Sequence, residues 1–267
     1  MNETKHNNIL PGMAITAPSQ IGLNRTRHVG AAMLSGLTCA HMSPGAFAKD
    51  VFSPAPTKSQ LRAINGASES ARLSVLSCPG AGGTQAGAML ALHRLVAHRD
   101  HCVLIISPNR HMFDLCRQLM RTSDHSIMLT AEALFMIRSE DGLWADESAC
   151  WGIQWQTMDE TLDNHIGAMI SHAQTIIVDN AHQYRPDFLR QLDEAAGYSK
   201  QLCYIGKDAN SFLSELENDP TAHTVRISAA QSSLVHPSIL NLQRMKFRGA
   251  PELYERIYQV PYDWEPR

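Results

Sequence analysis

The residues with the clearest chemical potential are Ser77-Cys78-Pro79-Gly80-Ala81-Gly82-Gly83-Thr84. They follow a short apolar stretch, Leu73-Ser74-Val75-Leu76, and precede Gln85–Ala97, where Ala, Met and Leu recur at helical spacing. A glycine-rich turn between a strand and a helix gathers backbone N–H groups around one point, and the helix dipole adds attraction for negative charge. Phosphate is the anion such turns hold. Against the phosphate-loop consensus G-x-x-x-x-G-K-[ST], the stretch keeps a glycine at Gly82 and a hydroxyl at Thr84, but has Ser77 for the first glycine and Gly83 for the lysine. That lysine normally reaches the β- and γ-phosphates, and no other side chain of the turn is positively charged. Nucleotide binding through Pro79, Gly80, Ala81, Gly82, Gly83 and Thr84 is therefore expected to be weak, and a lysine placed at position 83 to strengthen it. A turn that serves only the fold is the alternative.

The second chemical stretch is Thr175-Ile176-Ile177-Val178-Asp179-Asn180-Ala181-His182-Gln183, an apolar strand that ends in an acid. A carboxylate at such a strand end holds Mg²⁺ together with the loop hydroxyl, which makes Thr84 and Asp179 the expected metal ligands. Asn180 is an amide and takes no proton from an attacking water. Mg and ATP, weakly held, are the expected cofactors, without hydrolysis.

These segments need a scaffold, and the pattern between them supplies one. Cys102–Ile106 is a continuous apolar run suited to a strand buried on both faces. Further strands are expected at Ser126–Leu129, Thr175–Val178 and Gln201–Ile205, with helices over His111–Arg121, Ala131–Arg138, Thr161–Ser171 and Arg185–Ala196. Strands alternating with helices predict an α/β fold with a parallel sheet covered on both faces. Residues 1–55, rich in Gly, Pro, Ser, Asn and Ala, read as a flexible extension, and residues 246–267 as a tail or interrupted helix.

Taken together, the two motifs resemble those of superfamily 1 DNA helicases of the repair and conjugative-relaxase type, with Asn180 in the glutamate's place of their D-E-A-[HQ] segment. The resemblance runs over about residues 56–245 and implies a RecA-like P-loop domain. Thr57-Lys58-Ser59-Gln60 looks like the family's glutamine-containing segment, which implies that Gln60 reads adenine. Ser107-Pro108-Asn109-Arg110 is similar to the strand end that touches nucleic-acid phosphates, implying a role for Pro108, Asn109 and Arg110. Leu129-Thr130-Ala131-Glu132 resembles the next strand-contacting motif, through Thr130. In the segment the family writes G-D-x-x-Q, Lys207 and Asn210 stand at the acid and glutamine positions. The family's ATP site lies between two such domains, and the roughly twenty residues after the matched region fall far short of the ~100 a second domain needs. The second domain is thus expected to be absent.

The chain has 267 residues, 44% hydrophobic and 18% charged, with a formal net charge of -3. This composition argues against wholesale disorder and against a global basic excess for nucleic acid. A local stripe remains open: Arg110, Arg117 and Arg121 share one helix face by spacing and either neutralise phosphates or form a solvated face. Trp144, Trp151 and Trp155 either stack bases or build a hydrophobic cluster or partner interface, which their acidic neighbours favour. His93, His98 and His101 read as solvated residues at a helix end rather than as a metal site. Six scattered cysteines without C-x-x-C pairs fit reduced thiols in a cytoplasmic protein. Ala46-Phe47-Ala48 after the mildly apolar Val29–Met42 has the form of a signal-peptidase site, but Ser35, Gly36, Thr38 and His41 break the run, and no segment approaches the ~20 apolar residues of a membrane span. The expected function is a non-hydrolysing binding or scaffold module for a protein partner or single-stranded DNA or RNA. The alternative is a weak NTPase completed by a partner's lysine or arginine.

Overall fold

The computed structural model describes residues 42–261, apart from 124, 136, 147–149, 158–165 and 209. The strands are β1 (Arg72–Ser77), β2 (Cys102–Ile106), β3 (Ile137–Arg138), β4 (Gly142–Asp146), β5 (Trp151–Gln156), β6 (Thr175–Asp179), β7 (Gln201–Gly206) and β8 (Ala222–Ile227). The helices, in chain order, are α1 (Pro44–Val51), α2 (Lys58–Gly66), α3 (Gly83–Ala97), α4 (His111–Thr122), α5 (Ser126–Leu134), α6 (Ile166–Ile170), α7 (Pro186–Ala196), α8 (Ser211–Asn218), α9 (Pro237–Lys246) and α10 (Pro251–Tyr258).

All eight strands join one sheet in the order β3-β4-β5-β2-β6-β7-β1-β8. From β5 to β8 every pairing is parallel, and only the β3-β4-β5 end is antiparallel. Alternation along the strands explains the continuous apolar runs, because each face meets its own layer. Val103, Ile105, Ile177, Cys203 and Ile205 join the hydrophobic cluster that contains α3 and α4. Leu104, Ile106, Val178, Leu202 and Tyr204 join the cluster of Phe188 and Leu192 on α7 and Phe212 and Leu213 on α8. The expected α/β sheet covered on both faces is the sheet that forms. It sets β7 between β1 and β6, so the glycine turn and Asp179 lie at the same sheet edge, one strand apart.

Several local expectations fail for physical reasons. Ser126–Leu129 is the start of α5, not a strand: the His125 ring accepts from the Ile127 N–H, and Ile127, Met128 and Ala131 bury at helical spacing. A four-residue apolar run does not distinguish the two states. The stretch expected to be a flexible extension contains α1, started by a Ser43 cap and by Pro44, a residue suited to a first helical turn. Its Phe47, Ala48 and Val51 are buried, the Phe47 ring lies 5.2 Å from that of His93, and Gly45 donates to Asn65 at 3.0 Å. The Ala46-Phe47-Ala48 sequence is thus helical, with Phe47 and Ala48 in the core. The tryptophan insert forms β4 and β5, with Trp144 and Trp151 buried and the Trp151 indole donating to the Leu95 carbonyl at 3.0 Å. Strand β8 and helix α8 carried no recognised sequence signal, and the expected helix over Ala131–Arg138 breaks before β3.

The three histidines are not solvated as a group. His93 is buried, and the His98 and His101 rings lie 5.4 Å apart, with His101 meeting the Thr175 hydroxyl at 2.9 Å. Desolvation pushes both His93 and His101 down to about 4. Among the described residues no group of three His, Cys, Asp or Glu side chains is placed to hold a metal, and Cys78, Cys102, Cys116, Cys150 and Cys203 are free thiols. No described helix is long and apolar enough to cross a membrane.

Two outcomes follow for stability. Phe47→Ala should cost about 3–4 kcal/mol in urea denaturation if α1 is part of the core, and a loss under ~1 kcal/mol would remove it from the fold. Because His93 and His101 bind protons more readily when unfolded, stability is full above their unfolded value and falls as pH drops from about 6.5 towards 4. A double His93→Gln, His101→Gln variant should flatten the urea midpoint over that window.

Candidate phosphate-binding site

The turn after β1 is tied down before the helix begins. Cys78 N–H donates to the Ile227 carbonyl at 3.0 Å, and Ala81 N–H closes back on the Cys78 carbonyl at 3.1 Å. Gly80 and Gly82 have φ of +81° and +84°, a region that favours glycine. Gly82 caps α3 with no side-chain hydrogen bond, so the first N–H groups of this 15-residue helix meet no capping side chain.

Gln60 braces the turn from α2. It is buried, its Oε1 accepts from Thr57 N–H at 2.8 Å, and its Nε2 donates to the Gly82 carbonyl at 3.2 Å and to Gln85 Oε1 at 3.0 Å. The side chain that the resemblance assigned to adenine is here committed to the capping box of α2 and to the loop itself.

The consensus departures at Ser77 and Gly83 are coupled. A Cβ on Gly83 would lie 2.8 Å from Ser77 Cβ, 2.9 Å from Ser77 Oγ and 3.2 Å from the Ile205 Cγ2 methyl. A lysine at position 83, expected to strengthen binding, therefore requires the Ser77 side chain or the turn around it to shift.

Thr84 and Asp179, 95 residues apart, meet: Thr84 Oγ1 donates to Asp179 Oδ1 at 3.0 Å. Asn180 Nδ2 donates to the other carboxylate oxygen, Oδ2, at 3.0 Å. Asp179 is buried; desolvation raises it, opposed by the bonds from Thr84 and Asn180 and by His111. A buried acid beside a hydroxyl forms a pair of hard oxygen donors suited to Mg²⁺, and a cation there would offset the cost of burying the charge. Asn180 adopts φ 55°, ψ 38°, a left-handed conformation that asparagine tolerates better than most residues. A glutamate at that position would be strained and would lose the bond that steadies Asp179.

A cavity of about 440 Å³ opens beside the loop, lined by Ser77–Gly80, Gly82–Gln85 and Ile205 together with Leu234, His111 and Leu115. His111 and Leu234 carried no sequence signal of this role; the one available hint was that His111 opens the helix after β2.

The nucleic-acid candidates gather at the end of β2 and on α4 and α5. Pro108 and Asn109 are exposed, and Asn109 Oδ1 accepts from His111 N–H at 3.0 Å. Arg110 lies over the rings of Phe113 at 5.4 Å and Trp155 at 5.5 Å and 3.8 Å from Asp114. Arg117 also faces Asp114, at 4.0 Å, and Arg121 faces Glu132 at 3.7 Å. Thr130 turns its hydroxyl back to the Ser126 carbonyl at 2.8 Å. The arginine stripe thus stands among its own acids. Asn210 caps α8 and donates to the Tyr184 carbonyl at 2.8 Å, a structural task.

No family model matches the chain, and no curated protein matches its sequence. Solved structures do match. The large terminase ATPase domain of Thermus phage P74-26 aligns with a TM-score of 0.54 at 12% identity, covering 78% of this chain and 94% of that domain. The fold is that of a RecA-like P-loop ATPase domain. The large terminase of bacteriophage HK97 aligns with a TM-score of 0.57 at 14% identity, over 84% of this chain and 55% of that one. A large terminase from a thermophilic bacteriophage, in complex with ADP, aligns with a TM-score of 0.51 at 12% identity, over 77% of this chain and 53% of that one. This chain spans about half the length of these two full terminases. At such identities the likeness is one of fold, and it agrees with the P-loop architecture that the sequence motifs implied.

The Ser77–Gly83 contact generates a direct expectation. Gly83→Lys alone should destabilise the fold by about 1–3 kcal/mol through overpacking and leave Mg-ATP affinity no better. Combined with Ser77→Gly, the same lysine should raise affinity by roughly tenfold or more, the worth of one charge-assisted hydrogen bond. Calorimetric titration of both variants checks this; a gain from the single variant contradicts the geometry.

Proposed function

We propose that this chain is a non-hydrolysing, helicase-like P-loop module that holds polyphosphate weakly and acts through a bound partner. The observation that carries the reading is the orientation of Asn180. Its amide donates to Asp179 at 3.0 Å, so the position that would present a catalytic base instead steadies the metal-side acid. The loop cavity and the Thr84–Asp179 pair are retained, which favours binding over a purely architectural turn. Glycine at 83 removes the lysine charge that draws in the γ-phosphate. The order of the segments carrying Gln60, Asn109, Thr130 and Asp179 supports descent from superfamily 1 helicases, and the ADP-bound terminase of similar fold supports a nucleotide as ligand.

For the partner, a protein is favoured over a single strand. Arg110, Arg117 and Arg121 face Asp114 and Glu132, which leaves little positive charge for phosphates. Leu234, Ile239, Leu242 and Met245, by contrast, are exposed to 45%, 46%, 53% and 75%. Leu234 also lines the loop cavity, and this favours a second reading in which a docked protein brings a lysine or arginine to the loop and completes a weak NTPase.

Purified chain, with or without single-stranded DNA, should release phosphate from ATP no faster than a Thr84→Ala, Asp179→Ala control. Turnover near ~1 per second, ordinary for an enzyme, that disappears in that control would overturn the non-hydrolysing reading. In fluorescence anisotropy, labelled single strands should show little binding at low salt; tight binding lost on combining Arg110→Ala with Arg117→Ala would return nucleic acid to the site.

A further inference from the structure

We propose that the outer edge of β8 is a pairing surface for a second copy of this chain, joining two eight-stranded sheets through antiparallel β8 strands about a two-fold axis at Thr224. The inference stands apart from the reading of the loop. β8 ends the sheet, bonded to β1 on one side and with no described strand on the other. A groove of about 710 Å³ runs there, lined by Arg62 of α2, Glu69 just past that helix, Glu217 of α8 and β8 itself from His223 to Arg226. Its lining comes from both faces of the sheet. Val225 joins the hydrophobic cluster that contains α3 and α4, while Arg226, on the opposite face, pairs with Glu217 at 2.6 Å. The groove therefore follows the open edge of the strand.

The ladder fixes which backbone groups face that edge. Cys78 N–H donates to the Ile227 carbonyl at 3.0 Å, so Ile227 points towards β1, and by alternation Ala222, Thr224 and Arg226 point outwards. The Arg226 carbonyl accepts from Arg62 Nη2 at 2.8 Å, and the Ala222 N–H is spent on the Asp219 carbonyl at 3.1 Å. Among the described residues the other outward groups meet no partner: the Ala222 carbonyl, the N–H and carbonyl of Thr224, and the Arg226 N–H. Such a row is a template for another strand. A two-fold axis at Thr224 matches this set to itself. Thr224 exchanges both bonds with the partner's Thr224, and the Arg226 N–H meets the partner's Ala222 carbonyl. The two groups already bonded within the chain are the two that this pairing leaves alone.

The side chains fit the same axis. The Thr224 hydroxyl is buried and has no hydrogen-bond partner among the described residues. Threonines directly opposite on one face of an antiparallel pair bond to each other, so the pairing satisfies both hydroxyls. Arg226 stands opposite the partner's Ala222 and His223 opposite the partner's Val225, which sets no like charges against each other. Charges beside the ladder also match. Arg62 lies at the Arg226 end of β8, through its bond to that carbonyl, and Glu69 at the His223 end, 3.1 Å from the His223 ring. The axis reverses the second copy, so Arg62 comes level with the partner's Glu69.

Sedimentation velocity of the full chain over a range of concentrations tests the assignment. Native chain should pass from monomer to dimer as concentration rises. Thr224→Pro removes the central N–H, which makes no bond to β1, and should give a monomer with native circular dichroism. Glu69→Lys should weaken the dimer roughly tenfold, because two exposed attractive contacts become repulsive, and adding Arg62→Glu to it should restore most of the affinity. Thr224→Cys should form a disulfide-linked dimer on mild oxidation that oxidised native chain does not, since the Cα atoms of a hydrogen-bonded pair lie about 5.5 Å apart, within disulfide reach. If Thr224→Pro fails to fold, the charge-swapped and cysteine variants decide the matter. A native chain that stays monomeric at every concentration overturns the proposal. So does a dimer that folded Thr224→Pro and Glu69→Lys both leave intact, or one in which Thr224→Cys does not cross-link.

Discussion

The close approach of Gly83 to the Ser77 side chain sets the geometry on which the site depends. Because Gly83 carries no side chain, the first turn of α3 presses against the end of β1, with Ile205 of β7 on the other side. Thr84, on the first turn of α3, meets Asp179 at the end of β6, two strands away from β1 in the sheet, through a hydrogen bond of 3.0 Å. The same contact of Gly83 with Ser77 leaves a lysine at position 83 no room unless Ser77 shifts. A loop that packs in this way keeps a cavity of about 440 Å³ beside it and lacks a lysine at position 83.

The electrostatics follow the same direction. Asp179 is buried, and its burial is compensated by neutral donors, the Thr84 hydroxyl and the Asn180 amide, rather than by a lysine. Burying a carboxylate is costly unless it is hydrogen-bonded or paired, and the amide at 180 supplies one of those bonds where a second carboxylate would repel. The left-handed backbone at Asn180 suits that residue as well. The amide at 180 thus steadies the buried acid beside it.

Much of this architecture could be read from the residues. Cys102–Ile106, Thr175–Asp179 and Gln201–Gly206 are apolar throughout because helices cover both faces of the sheet, and that signal survives without any alignment. The pairing of Thr84 with Asp179 was legible from motif chemistry alone. Helix α1 was hidden because Pro44, Gly45 and Ala46 look like linker, and its burial depends on partners on α2 and α3 that are distant in sequence. Arg110 is the N-cap of α4 and Arg117 and Arg121 lie on it, but Glu132, on the next helix, pairs with Arg121 only through tertiary packing. The steric coupling of Ser77 to Gly83 and the arrival of His111 beside the loop are likewise three-dimensional facts with no one-dimensional trace.

The central claim is that the loop holds a polyphosphate without breaking it, and ³¹P magnetic resonance of Mg-ATP incubated with the purified chain tests both halves in one sample. The account predicts that the β- and γ-phosphate resonances broaden or shift in proportion to added protein, that Asp179→Ala abolishes the change, and that no ADP or inorganic phosphate accumulates over hours. Accumulation of ADP that Thr84→Ala prevents, or a spectrum indifferent to the protein, would contradict it.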